Sequence, residues 1–291
     1  MTARVLIIKL GAFGDVILAC GAISDIRRHH PEAEITILTS KPYDRVLARH
    51  PGIDKVLIDP RKPRWQVWHL LALRQQLCDQ GFDTVYDLQD RPRTRGYRRW
   101  LEPVTWVGSD ERIKGALERH AAQLEAAGLT IHDSLSPRLN WLQEPVGDLP
   151  ERFVLLIPGC SAKHPQKRWP YYDQLAEQLT HKGIACVTVP GPDELDLCQS
   201  IPAQMLLNPD GKPLSFGQLA TVAAKAAFVV GNDTGPTHVA AWSGAPGLAL
   251  FGPHAPAENT SIGRVWDVIE VDDLPALNVE TIAALVYEKS R

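Results

Sequence analysis

The sequence is poor in the features that mark specialised classes of protein. Nowhere in its 291 residues is there the unbroken apolar run of about 18 residues that predicts a transmembrane helix. The apolar run at residues 5–8 is followed at once by Lys9, which excludes the long apolar segment of a signal peptide. These absences predict a cytoplasmic protein.

Cysteine pairing and the common catalytic motifs are also missing. The five cysteines include no CxxC pair and are odd in number, which favours reduced, packing thiols over a disulfide framework. HExxH, G-x-S-x-G and the glycine-rich P-loop do not occur, and the ten histidines are scattered. Glu270 and Asp272 form an acidic pair of the kind that some sugar transferases use for a metal, but we interpret it as surface. We predict no metal, no cofactor and no nucleic-acid partner.

The length and the order of the predicted elements indicate two domains. Short apolar runs alternate with helix-like segments on both sides of residues 145–150, which have the proline and glycine content of a linker. This alternation predicts an α/β protein with an N-terminal domain at 1–148 and a C-terminal domain at 149–291. Each is expected to hold a parallel, Rossmann-like sheet, the two sheets facing across a ligand-binding cleft.

The first candidate site follows the first predicted strand, where Gly11, Gly14 and Asp15 lead into a helix. The glycines allow a sharp turn and keep side chains away from the helix start. A carboxylate is favoured in a first helical turn, so Asp15 is also explained as a capping acid, and the local sequence alone favours that interpretation.

A second candidate site is the loop at residues 158–170, between the first strand of the second domain and a helix that begins near Pro170. Ser161, Lys167 and Arg168 offer a hydroxyl and two cations to a phosphate oxygen. The alternative is a solvated basic turn closed by the helix start.

The most informative segment is residues 230–241, where a strand runs into a turn and then a helix with Pro236 near its first position. Backbone N–H groups and threonine hydroxyls there would point at one spot, which suits a diphosphate. An ordinary capped helix explains Asp233 and Pro236, but it does not require a glycine, two threonines and a histidine as well. We therefore interpret the segment as a binding site. Its candidate diphosphate-binding residues are Asp233, Thr234, Gly235, Thr237 and His238.

Taken in order, these segments resemble glycosyltransferase family nine, the ADP-heptose:lipopolysaccharide heptosyltransferases. The resemblance covers nearly the whole chain and is most specific at residues 231–241, GNDTGPTHVAA, which precede LFGP at 250–253. Residues 4–17, RVLIIKLGAFGDVI, and 167–170, KRWP, support it by order and spacing, as do 31–35, 82–89 and 190–194.

The resemblance implies a GT-B fold and inverting, metal-independent transfer of a heptose from an ADP-sugar to a lipopolysaccharide core acceptor. It also implies that Asp15 is the general base, that Lys167 stabilises the departing ADP, and that the first domain binds the acceptor and the second the donor. The alternatives are another GT-B nucleotide-sugar enzyme, with a different donor or an epimerase activity, and a non-catalytic nucleotide-sugar-binding protein.

A basic cluster is the candidate acceptor surface. Five arginines lie within residues 91–99, after one predicted strand, and three cations lie within 61–64, after what we interpret as a neighbouring strand. Arginine suits the phosphates and carboxylates of an anionic glycolipid, and such a patch also attracts the inner face of the inner membrane. The alternative is a solvated helix face. The candidate acceptor-binding residues are Gly14, Arg61, Arg64, Arg93, Arg95 and Arg98.

Overall fold

The computed structural model of the chain describes residues 2–63, 65–102, 104–108, 112–161, 164–253 and 260–291. The chain divides into two compact units, Met1–Trp141 and Leu142–Arg291. The sequence places the boundary between residues 148 and 149, so the segment 145–150, interpreted as a linker, lies within the second unit. Among the described helices, none is both long and apolar enough to cross a bilayer.

The first unit is a parallel sheet with helices on both faces. Its strands are β1 (Arg4–Ile8), β2 (Glu34–Thr39), β3 (Lys55–Ile58), β4 (Thr84–Asp87) and β5 (Thr105–Val107). Its helices are α1 (Phe13–His29), α2 (Asp44–Leu47), α3 (Val67–Cys78), α4 (Pro92–Arg95), α5 (Arg98–Leu101) and α6 (Ala116–Ala126). The strand order is β3-β2-β1-β4-β5.

The side chains of β1 explain why its sequence is uniformly apolar. Val5 and Ile7 pack on one face of the sheet with residues of α1 and α6. Leu6 and Ile8 pack on the other face with residues of α3 and α5. Because successive side chains of a strand point to opposite faces and both faces are covered, an apolar run replaces the alternating pattern of a half-exposed strand.

The second unit repeats this architecture with its own sheet. Its strands are β6 (Phe153–Ile157), β7 (Ala185–Thr188), β8 (Gln204–Met205), β9 (Phe228–Asn232), β10 (Gly247–Phe251) and β11 (Asp267–Glu270). Its helices are α7 (Tyr172–His181), α8 (Leu195–Gln199), α9 (Phe216–Lys225), α10 (Gly235–Ala241) and α11 (Val279–Lys289). All pairings are parallel, in the order β11-β10-β9-β6-β7-β8.

Strand order reverses once in each sheet, between β1 and β4 and between β6 and β9. At such a reversal the chains leaving the two central strands diverge, and open α/β sheets bind ligands in the crevice beyond those carboxyl ends. We call the loops after β1 and β4 (residues 9–15 and 88–91) the first switch point. The loops after β6 and β9 (residues 158–161 and 233–238) are the second switch point.

All five cysteines are free, as the sequence predicts. The prediction that they are packing residues is correct for the four buried thiols and wrong for Cys78, which lies exposed at the end of α3. Its Sγ donates to the carbonyl of Trp100.

Candidate functional site

Two side chains join the loops of the first switch point. Lys9, directly after β1, is 5% exposed, and its Nζ donates to the carbonyl of Leu88 at 3.0 Å. Gln89, after β4, accepts a hydrogen bond on Oε1 from the backbone N–H of Leu10 at 2.9 Å. The ammonium and the amide together hold the two strand ends at a fixed separation.

Ionisable groups are buried behind these loops. Burial lowers the pKa of Lys9 to about 8, and the neighbouring carboxylates of Asp15 and Asp87 oppose that shift. Burial raises the pKa of Asp87 to about 6, although backbone N–H groups of Asp90 and Gln89 donate to its Oδ1 and limit the rise. The first switch point therefore holds a buried cation, Lys9, directly after β1, and the negative charge of Asp15 acts on its pKa.

Asp15 is the third residue of α1 and is partly exposed. Its Oδ2 accepts the backbone N–H of Ala12 at 3.2 Å, so the capping interpretation is correct for one of its two oxygens. From the described residues, the other oxygen accepts no hydrogen bond. A carboxylate that is oriented through one oxygen and open at the other can both cap the helix and accept a proton. Gly14 lies beside it, inside the first turn of α1.

Gly11 is required where the chain turns from β1 towards α1. Its φ of +127° disfavours any side chain, and a Cβ there would lie 2.7 Å from the ring of Tyr43. That ring stacks on Phe13 with centroids 5.6 Å apart. Burial raises the pKa of Tyr43, while the charges of Arg61 and Asp15 act on it in opposite directions. Arg61 and Asp15 therefore both lie near Tyr43, at the carboxyl edge of the first sheet.

The basic cluster at 91–99 forms two short helices, α4 and α5, beyond the carboxyl end of β4. Arg93 donates through Nε and Nη2 to both oxygens of Asp59, which is fully buried, and Tyr97 Oη donates to the same carboxylate at 2.6 Å. Burial alone would raise the pKa of Asp59, but these hydrogen bonds hold it below its usual range. Arg93, a predicted acceptor ligand, therefore fastens the loop after β3 to α4.

The remaining acceptor candidates are placed differently. Arg95 pairs with Asp90 at 2.6 Å and is about half exposed, while Arg98 is exposed at the start of α5. Arg64 lies outside the described residues. The prediction that residues 61–64 follow a strand next to that of the arginine cluster is wrong, because β2 and β1 lie between β3 and β4. Sequence spacing does not encode strand order.

The second switch point is closed by one neutral side chain, Asn232, the last residue of β9. It is fully buried and all four of its hydrogen-bonding positions are used. Its Nδ2 donates to the carbonyls of Pro158 and Gly159, at 3.0 and 3.1 Å. Its Oδ1 accepts from the backbone N–H of Trp169 and the hydroxyl of Tyr172, at 3.1 and 3.2 Å. One amide thus ties the loop after β6, the start of α7 and the end of β9 together.

Lys167 and Asp233, predicted separately as donor ligands, form an ion pair through Nζ and Oδ2. Their side chains are 24% and 12% exposed, so the ammonium is held in place yet open to a ligand. A fixed cation beside the end of β9 suits a phosphate oxygen better than a mobile surface lysine does, because less conformational entropy is lost on binding.

Thr234 is the N-cap of α10, and its side chain makes no capping hydrogen bond. Its Oγ1 lies 3.1 Å from Oγ1 of Thr237, which is fully buried against Gly231. A Cβ at Gly231 would meet that hydroxyl at 2.6 Å, which explains the glycine. The two threonines are brought together as predicted, but Thr237 orients its partner from within the core.

The other donor candidates surround this pair. Gly235 is the first residue of α10, and His238 lies on the same helix with 6% of its surface exposed. Ser161 is exposed in the loop after β6. Arg168 is partly buried, and its Nε has no hydrogen-bond partner among the described residues.

Three further residues were not singled out by sequence reasoning. Asn232 is the last residue of β9 and Gln89 lies two residues after the end of β4, and a polar amide at the end of an apolar run is the signal that could have identified them. Asp59 follows β3 in the same manner, but its partners Arg93 and Tyr97 are 34 and 38 residues away, and no local pattern indicates them.

The acidic pair Glu270 and Asp272 is exposed at the end of β11, as the sequence predicts. Within the described ranges, no group of three or more His, Cys, Asp or Glu side chains is arranged to hold a metal ion.

Comparison with known proteins adds to this geometry. The sequence model of glycosyltransferase family 9 (heptosyltransferase) matches residues 111–279. A lipopolysaccharide core heptosyltransferase, OpsX of Haemophilus influenzae, is 25% identical, with 91% of this chain and 83% of the relative covered. Lipopolysaccharide heptosyltransferase 1 of Pseudomonas aeruginosa is 26% identical, with 90% and 82% covered.

Among solved structures, Escherichia coli heptosyltransferase WaaC with ADP superposes with a TM-score of 0.77. The alignment covers 98% of this chain and 99% of that chain at 19% identity. A likeness at this identity establishes the fold and leaves the ligand open. The predicted α/β class, with two parallel Rossmann-like sheets in the GT-B arrangement of elements, is confirmed.

Proposed function

Because the chain belongs to glycosyltransferase family 9 (heptosyltransferase), we propose that it transfers a heptose from an ADP-sugar to a lipopolysaccharide core acceptor with inversion at the anomeric carbon. The names of the curated relatives support the acceptor class, and a structural neighbour that holds ADP supports the nucleotide. The observation that carries the proposal is that each switch point holds groups that the reaction needs: an oriented carboxylate, Asp15, at the first, and a cation and a hydroxyl, Lys167 and Thr234, at the second.

In the proposed reaction Asp15 is the general base. As the acceptor hydroxyl oxygen forms a bond to the anomeric carbon, its proton passes to Asp15, and the bond from that carbon to the diphosphate oxygen breaks. The Ala12 N–H holds one carboxylate oxygen, so the other is oriented for the proton. Lys9, buried directly after β1, places a positive charge at the same switch point, and the carboxylate of Asp15 favours the charged form of that lysine.

The second unit would hold the donor diphosphate. Lys167 supplies the charge, Thr234 a hydroxyl and Gly235 a backbone N–H, and together they stabilise the negative charge that develops on the departing ADP. Helix α10 has only seven residues, so its dipole adds little and the ammonium matters more. Because Asp233 pairs with Lys167, it holds the ammonium in position but also competes with the phosphate.

No metal is needed in this scheme, because Lys167 takes the place of a bridging cation. The acceptor, an anionic glycolipid, would lie against the first unit near Arg61 and Arg98. We accordingly place the enzyme in the cytoplasm, in peripheral contact with the inner face of the inner membrane.

A donor screen tests the proposal directly. The purified protein is incubated with truncated core lipopolysaccharide and a set of ADP- and UDP-sugars, with and without EDTA, and products are identified by mass spectrometry. We expect one heptose added per acceptor, with ADP-heptose only and undiminished by the chelator. A UDP-sugar product, or a donor isomer with no change in the acceptor mass, would favour the other GT-B enzymes. Donor binding without turnover would favour a binding protein.

A further inference from the structure

A short stretch of the first unit exposes apolar side chains to an unusual degree. Trp65 and Trp68 are 77% and 82% exposed, and Val67 and Leu71 are 54% and 46% exposed. These four account for most of the large hydrophobic side chains that are exposed in the described part of the chain; the others are Leu135 and Val265. We call Trp65, Val67, Trp68 and Leu71 the tryptophan patch.

The patch lies on the outer side of α3. Leu73 and Leu77 face inward and pack against the sheet with β1 side chains. At about 100° per residue, Val67, Trp68 and Leu71 occupy the arc of the helix that points away from those two leucines. The helix is therefore apolar on two sides, and only one side is covered by the fold.

Cations border the patch on both sides. Lys62 Nζ lies 2.8 Å from Nε2 of His69, within the same turn of α3 as Trp68. Leu70 of α3 lines a surface pocket together with Arg95 and Arg99. Residues 61–100 carry nine Lys and Arg against four Asp and Glu, so this part of the chain is strongly positive although the whole protein is negative.

We propose that the tryptophan patch inserts into the interfacial layer of an anionic bilayer, with Lys62 and Arg99 contacting lipid headgroups beside it. Trp side chains favour the headgroup level, and a helix with exposed apolar residues beside cations is the pattern of interfacial membrane binding. The inference rests on the proposed function only in that a membrane-embedded acceptor gives the contact a purpose.

Charge selects the bilayer over a second copy of the chain as the occupant. A symmetric contact through the patch would bring Lys62 and Arg99 of both copies together, and like charges at an interface oppose association. An anionic membrane instead supplies opposite charge around an apolar layer that accepts the indole rings.

The test uses vesicles without acceptor, so it does not depend on enzymatic activity. The full chain is sedimented with vesicles of phosphatidylcholine alone or mixed with phosphatidylglycerol, at low and high salt. We expect binding to the mixed vesicles, weakened by salt. Vesicles whose acyl chains carry bromine should quench the fluorescence of the wild type, and the quenching should be largely lost in Trp65→Phe/Trp68→Phe, which keeps the apolar surface.

Three variants separate the contributions. Trp65→Ser/Trp68→Ser should weaken vesicle binding about tenfold or more, because the two indole rings that would insert into the bilayer are lost. Lys62→Glu/Arg99→Glu should weaken it about tenfold at low salt only. Leu135→Ser, at an exposed apolar residue of the same unit, is the control and should bind as the wild type does. Because both tryptophans are exposed, the thermal midpoints should stay unchanged.

The inference is overturned if the wild type does not bind mixed vesicles, or if Trp65→Ser/Trp68→Ser binds as well as the wild type. It is also overturned if the patch proves to mediate self-association, seen as a dimer in sedimentation that the serine variant abolishes, without vesicle binding. A failed donor screen together with normal vesicle binding would reject the proposed function and retain the membrane surface.

Discussion

The two switch points share one topology but are closed by different chemistry. The first is bridged by the ammonium of Lys9 and one amide contact from Gln89, with Asp87 buried nearby at a raised pKa. In the core, the second is bridged by the neutral amide of Asn232, which makes four hydrogen bonds there. The charged groups at the second switch point are the ion pair of Lys167 and Asp233, which is partly exposed instead of buried in the core.

This difference matches the two tasks in the proposed reaction, which are proton transfer and the binding of a negatively charged donor. Buried ionisable groups with shifted pKa values, such as Lys9 and Asp87, are frequent near sites of proton transfer, which is the role proposed for Asp15. A neutral buried bridge leaves the charged groups partly exposed, which suits a substrate that arrives with its own negative charge. The proposed reaction assigns proton transfer to the first sheet and donor binding to the second, and this difference in the location of charge is consistent with that assignment.

The largest effect is expected at Asp15. Asp15→Asn keeps the size of the side chain and a carbonyl oxygen for the Ala12 N–H, but it cannot accept a proton. Turnover should fall by about a hundredfold or more while ADP-sugar affinity stays nearly unchanged. Single-turnover kinetics and calorimetry measure the two quantities. Asp44→Asn is the control for an acid that only occupies a first helical turn, that of α2. If Asp15→Asn lowers turnover no more than Asp44→Asn does, Asp15 is a helix cap and not the base.

The second prediction compares the two bridging amides directly. Asn232→Ala removes four hydrogen bonds from a buried position and leaves the carbonyls of Pro158 and Gly159 without the donor they now have. We therefore expect the free energy of unfolding to fall by about 3 kcal/mol. Gln89→Ala removes one contact at a partly exposed position that water can replace, and should cost about 1 kcal/mol. Urea denaturation measures both. Equal losses would contradict the claim that the second switch point depends on its amide more than the first.

Much of this comparison could be predicted from sequence, because it depends on local pattern. The turn at Gly11, the position of Asp15 in a first helical turn and the ends of β6 and β9 follow from short-range rules, and the structure places them as expected. The pairing of Arg93 with Asp59 depends on which strands and helices become neighbours. Sheet order is decided by the packing of the whole unit, so an arginine interpreted as a ligand instead fastens a loop. The burial of Thr237 depends on the same kind of information.

The third prediction tests the charge at the second switch point. Lys167→Ala and Thr234→Val should each weaken ADP binding by about 1–3 kcal/mol, through loss of a charge-assisted or a neutral hydrogen bond. Lys167→Ala should have the larger effect, because it also leaves Asp233 to repel the diphosphate. Calorimetry with ADP gives the affinities, and Lys182→Ala, at an exposed lysine of the same unit, is the control. Unchanged affinity in both variants would place the phosphate site elsewhere.

The fourth prediction uses the lowered pKa of Lys9. Between the folded value of about 8 and the ordinary 10.5, the unfolded chain binds more protons at this site than the folded one, so its contribution to stability increases as pH rises. From pH about 7.5 to about 9.5 that contribution should grow by about 2 kcal/mol. Urea unfolding of the wild type and of Lys9→Met at several pH values isolates it, because other groups titrate alike in both. Parallel profiles would show that Lys9 keeps an ordinary pKa.

The smallest effect concerns the acceptor surface, and the structure changes how it should be tested. Reversing Arg93 would place a carboxylate against buried Asp59 and damage the fold, so it cannot report on binding. Arg61 and Arg98 are both exposed, and Arg61 lies at the edge where Asp15 stands. Because exposed charges are screened, Arg61→Glu/Arg98→Glu should raise the KM for a deacylated, soluble acceptor only severalfold, with the donor KM unchanged.

The salt dependence of that KM separates a binding surface from a solvated one. For the wild type, added salt should raise the acceptor KM, and in Arg61→Glu/Arg98→Glu this sensitivity should largely disappear, because the attractive charges are gone. Arg138→Glu, at an exposed arginine outside the basic cluster, should keep the wild-type profile. A deacylated acceptor removes the membrane from the measurement, so any change belongs to the sugar and phosphate groups. If the double reversal leaves the acceptor KM unchanged even at low ionic strength, these arginines face only solvent, and the acceptor is recognised by neutral contacts near Gly14.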